Sequence, residues 1–158
     1  MMKRVRISQM SALLLEHARS FGYSDEQLLD WIDRNDMDAL QGAEDDFYKY
    51  ADWVNYAREY GEDLQAAVRE GYQMTFNTVY GLTRWLEQRL GAVSGEQYTP
   101  GEGRMDHLKV SEQEMDMLKQ TLATNWAVVE SDEATVDETG KHEISLVMRA
   151  LLVANNHL

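Results

Sequence analysis

Apolar residues recur at spacings of three and four along most of this chain, and no alternating stretch of useful length competes with that period. A 3.6-residue period puts such side chains on one face of an α-helix, so the pattern restricts the chain to helical architectures. Leu64, Val68, Tyr72, Thr75, Val79, Leu82, Leu86 and Leu90 form the longest stripe and predict one helix over 62–90. At 1.5 Å per residue it is a rod of about 43 Å, with Gly71 and Gly81 as points of bending or close contact. Phe47, Tyr50, Val54 and Ala57 predict another helix over 43–60.

Helix ends are marked by their own chemistry. Ser24 with Gln27, and Ser111 with Glu114, have the spacing of a capping box, in which each side chain satisfies the other residue's backbone N–H. These pairs open helices near 24–34 and 111–122, while Gly22 closes a helix over 8–19 and Gly61 closes the one over 43–60. Ile144, Val147, Met148, Leu151 and Leu152 predict a final helix ending near Asn155 and Asn156. The run 126–129 fits a helix or an extended segment equally, and 130–141 reads as a polar loop. Residues 91–106 hold Pro100, the only proline, and four glycines, and read as a flexible loop. The expected fold is an all-α, single-domain bundle of five to seven helices around 62–90. Residues 1–90 form its main body and the helices of 107–158 pack on it. A length of 158 residues suits one domain.

The chain has no cysteine, which removes disulfides, thiolate metal sites and thiol nucleophiles together. Its basic start, with Lys3, Arg4 and Arg6, is not followed by the apolar run of a signal peptide. No segment approaches about 20 apolar residues. The expected location is the cytoplasm.

Motifs that would specify chemistry are missing. None of the four histidines has a glutamate three residues before it, as a di-iron bundle requires, and no two are four apart, as in a zinc-protease helix. The acidic run from Asp33 to Asp38 begins like a calcium loop, but Met37 and Asp38 stand at its fifth and sixth positions, where a ligand and a glycine belong. Glu59 with Glu62, and Glu130 with Glu133, match the first half of the magnesium motif of all-helical nucleotide pyrophosphohydrolases; its Glu-x-x-Asp half is absent. Gly140-Lys141 has Thr135 where a P-loop needs glycine, and Gly101-Glu102-Gly103 lacks the later glycine of a dinucleotide turn. No motif carries a family resemblance, and no cofactor, metal or catalytic residue is assigned.

The formal net charge of −13 is uneven. Residues 1–20 carry +3, whereas 25–63 hold thirteen acids against three bases, a net of −10. Helices 8–19 and 24–34 have the turn length of a helix-turn-helix, but the second carries a net −3 and would be repelled by phosphates, so direct nucleic-acid binding is not expected. On the helix predicted over 43–60, the arc opposite the apolar stripe presents Asp45, Tyr48, Asp52, Tyr56 and Glu59. Carboxylates with tyrosines suit a protein interface, because carboxylates set sign and register while tyrosines add contact area at low entropy cost. These five are the candidate partner-binding residues. The leading expectation is a non-catalytic, acidic regulatory or inhibitory module for a partner with a basic surface, in its sharper form a nucleic-acid-binding protein whose ligand charge it mimics. Two alternatives are a small helical enzyme with a dispersed carboxylate and histidine site, and a structural component that forms homo-oligomers.

Overall fold

The computed structural model describes residues 5–130 and 138–155. Lys3, Arg4, Glu133, Thr135, Asn156 and His157, with the middle of the polar loop 130–141, lie outside the described residues. Among the described residues there are eight helices and six strands, so the fold mixes helix and sheet and the all-α expectation is corrected. The chain forms two compact units, 1–75 and 76–158.

The first unit runs β1 (Val5–Ile7), α1 (Gln9–Phe21), α2 (Asp25–Arg34), a 3-10 helix (Met37–Ala43), α3 (Trp53–Glu59), α4 (Leu64–Glu70) and β2 (Tyr72–Met74). β1 and β2 pair in parallel, Val5 opposite Tyr72 and Ile7 opposite Met74. α1 begins at Ser8, whose hydroxyl accepts from the Ser11 N–H, and ends at Gly22. It buries Leu13, Leu14, Leu15 and Ala18, at about 1.5–3 kcal/mol for each leucine. Its one buried acid, Glu16, accepts from Tyr72 Oη at 2.6 Å and pairs with Arg19 at 3.1 Å, which joins α1 to β2. The Ser24–Gln27 capping box forms as expected and opens α2.

Two expected helices are interrupted here. The stripe over 62–90 is divided among α4, β2 and a helix of the second unit. Gly71, at φ 85°, ends α4, and the chain then extends so that Tyr72 and Met74 are buried on one side of β2. Positive φ is a conformation glycine adopts at no steric cost. The helix expected over 43–60 is reduced to α3. Ahead of it the Asp45 carboxylate accepts from the Phe47 and Tyr48 N–H groups, both at 2.8 Å, fixing a turn where a helix would need those donors for its own ladder.

The second unit contains α5 (Val79–Leu90), β3 (Thr99–Gly101), β4 (Arg104–Val110), α6 (Glu112–Thr121), β5 (Trp126–Glu130), β6 (His142–Met148) and α7 (Arg149–Asn155). Its antiparallel sheet has the order β3-β4-β6-β5. Met105, Leu108 and Val110 of β4, with Ile144 and Leu146 of β6, are buried, and α6 packs against β4 and β5. The span 91–106, expected as loop, carries β3 and the start of β4. The run 126–129, open between helix and strand, is strand β5. The final apolar series splits into β6 and α7. Gly103, at φ 69°, turns β3 into β4 under α7, where a Cβ would lie 2.9 Å from Leu151 Cδ1. The Ser111–Glu114 capping box opens α6 as expected. Asn77 clasps this unit internally: its Oδ1 accepts from the Ala123 N–H at 2.8 Å, and its carbonyl accepts from Asn125 Nδ2 at 2.8 Å and Trp126 Nε1 at 3.0 Å. Among the described residues no helix is long and apolar enough to cross a membrane.

Candidate functional site

The first unit holds a groove of about 290 Å³ between α1 and the segment that leads into α3. Met10, Ser11 and Leu14 form the α1 wall, and Ala51, Trp53 and Tyr56 the other, with Lys49 and Asp52 at its edge. Met10 and Tyr56 are 47% and 41% exposed, so the groove opens between two large apolar side chains that water already touches.

Tyr50 holds the two walls in register. Its hydroxyl donates to the Leu14 carbonyl at 3.0 Å and meets His17 Nδ1 at 2.7 Å. With the Tyr50 proton committed to Leu14, the hydrogen-bond network assigns the His17 proton to Nδ1, which donates to the tyrosine oxygen. Burial pushes the Tyr50 hydroxyl pKa well up, so it stays a neutral donor. The His17 ring stacks on Tyr48 at 3.8 Å and 7°, and its Nε2 lies 3.6 Å from Asp45 Oδ2. Burial lowers the His17 pKa, and the Asp45 carboxylate offsets part of that shift. The Asp45 pKa is itself lowered, first by the Tyr48 N–H and then by the Phe47 N–H.

Two polar atoms in the groove walls are unsatisfied. Ser11 Oγ and Trp53 Nε1 are buried with no hydrogen-bond partner among the described residues. Each such atom costs about 1–3 kcal/mol, and native proteins keep few of them. The contrast is a second cavity, of about 270 Å³, where α2, α3 and α4 meet. There Glu62 accepts from the Ser8 N–H and hydroxyl at 3.1 and 3.3 Å, and Asp33 accepts from Gln65 at 3.3 Å. Its acids are occupied by the fold.

The five residues expected at a partner interface fall into two groups. Tyr48 is buried, 2% exposed, as the stacking partner of His17, and Asp45 is engaged by its turn and by His17. Asp52, Tyr56 and Glu59 are exposed along α3. Tyr56 stacks on Tyr60 at 4.6 Å, and Tyr60 is itself exposed. The Asp52 and Glu59 side chains make no hydrogen bond or ion pair among the described residues; Asp52 precedes α3 without capping it. The groove adds Met10, Ser11, Leu14, Lys49 and Trp53, which sequence reasoning missed as site residues. Met10 and Leu14 lie on the apolar face of α1, and that spacing reads as core; only the pairing of α1 with the turn at 44–50 reveals an opening. Among the described residues no three His, Asp or Glu side chains gather as metal ligands. Comparison with protein-family models, with curated proteins and with solved structures returns no match.

Proposed function

We propose that this protein is a non-catalytic interaction module that docks on a basic protein surface through the outer face of α3. The observation that carries this reading is the pair of carboxylates on Asp52 and Glu59, which are exposed, unengaged among the described residues, and interleaved with the exposed rings of Tyr56 and Tyr60. Most other acids of the first unit are spent internally: Asp30 on Arg34, Asp25 on Arg19 and Glu62 on Ser8. The surrounding net charge of −10 over 25–63 would speed encounter with a basic partner. A partner whose basic surface ordinarily meets nucleic acid fits that charge, and an inhibitory or regulatory role follows from occupying such a surface. Lack of cysteine suits work in a reducing cytoplasm.

The test is affinity capture from lysate at low salt and at about 1 M salt, where the Debye length shrinks to about 3 Å. The wild type is compared with Asp52→Lys/Glu59→Lys, whose two positions are solvent-exposed. The reading expects a partner held at low salt, released at high salt and lost by the variant. A partner held equally by both proteins, or none at low salt, overturns it.

A further inference from the structure

We infer that the groove between α1 and α3 is an anchor pocket for one bulky aliphatic side chain of a basic peptide segment. The inference rests on the α3 docking reading and specifies the partner: an apolar anchor followed by two basic residues.

Three observations converge on this occupant. The first is size. At about 290 Å³ the groove lies at the floor of the range for ligand pockets, roughly 300–1,000 Å³, and is suited to a single side chain rather than a whole cofactor. The second is the wall chemistry. Leu14, Trp53 and the exposed Met10 and Tyr56 offer an apolar body. An aliphatic side chain matches that wall, because it covers apolar surface without bringing a polar group that the groove would leave unpaired. The third is charge. Asp52 stands at the edge of the groove and Glu59 seven residues further along α3. Seven residues of helix span about 10 Å, which an extended peptide covers in about three residues. An arginine beside the anchor therefore reaches Asp52, and a second arginine three positions on reaches Glu59. Lys49 also lines the groove and repels a basic residue placed against it.

Two synthetic probes separate the anchor from the charge: acetyl-Leu-Arg-Gly-Ser-Arg-amide and the same peptide with glycine in place of leucine. Each is titrated at low salt into the full-length ¹⁵N-labelled chain while the Trp53 indole N–H signal is followed, assigned by its loss in Trp53→Phe. The leucine peptide should bind about tenfold or more tightly than the glycine peptide, because the buried leucine contributes its transfer free energy. It alone should shift the Trp53 signal. Ala51→Trp, which fills the groove from an exposed wall position without changing charge, should abolish the leucine advantage and keep the salt-sensitive binding. Equal binding of both peptides to the wild type, with an unmoved Trp53 signal, overturns the anchor pocket and leaves docking by charge standing. No binding of either peptide at low salt overturns both. The wild-type titration decides the matter even if Ala51→Trp does not fold.

Discussion

Buried polar side chains are handled differently at one place in each unit. In the second, Asn77 is buried and its side-chain and backbone oxygens receive three donors, while Asp106 accepts from Arg104 at 2.8 Å and from Ser145 at 2.7 Å. Polar side chains there hold strands and turns to one another, with Tyr98 Oη as an unpartnered exception. In the first, Ser11 Oγ and Trp53 Nε1 are buried with no partner among the described residues. Capacity spent internally specifies a fold, whereas each buried atom left without a partner costs about 1–3 kcal/mol.

Substitutions can break or sharpen this contrast. The largest effect should come from Asn77→Ala. It strands the buried Ala123 N–H and should cost about 1–3 kcal/mol in urea unfolding; a loss under about 0.5 kcal/mol would show that the clasp does not hold the second unit. Next, Ser24→Ala and Ser111→Ala remove equivalent capping boxes, one in each unit, and should each cost about 1 kcal/mol. Clearly unequal losses would mean that the units do not share in one stability.

A third effect depends on pH. The His17 pKa is lowered from 6.5, so the unfolded chain binds the extra proton first. Its contribution is complete above about pH 6.5 and is lost as the pH falls through the folded-state pKa. Asp45, also lowered, acts in the same direction in more acidic solution. The urea midpoint of the wild type should fall between pH 7.5 and 5.5, and that of His17→Gln should fall less; equal slopes would remove His17 from the account. The smallest effect should be Ser11→Ala. Removing an unpartnered hydroxyl should leave stability within about 0.5 kcal/mol or raise it. A cost comparable to that of Asn77→Ala would end the contrast between the units.

The helices with chemical punctuation were legible in the sequence, and the strands were not. Ser24, Ser111 and Gly22 each act on the backbone within a few residues, so their meaning is local. Strand pairing is not local. Tyr72 and Met74 sit in a stripe that continues a helical period, and only the partner strand β1 makes them extended. The series Ile144, Val147, Met148, Leu151 and Leu152 satisfies a helical period while Ile144, Leu146 and Met148 satisfy a strand period, and sheet contacts with β4 and β5 decide between them. The site divides in the same way. The exposure of Asp52, Tyr56 and Glu59 was legible because α3 is a helix where one was expected. Tyr48 was misplaced because its environment is the ring of His17, 31 positions away. Ser11 and Trp53 line one groove although they stand far apart in the chain, and the tie from Tyr50 to Leu14 is among the contacts that bring their segments together.

The pairing of β1 with β2 also has a kinetic side. Val5 waits for Tyr72, so on a ribosome adding about 5–20 residues per second the first strand is made several seconds before its partner. Everything between them, including α1 with its groove wall and the α3 face, is synthesised before β1 has its partner. A nascent or truncated chain that stops short of Met74 leaves β1 as an open edge, a template for pairing with another chain. Completion of that short strand is therefore the step that covers this edge of β1.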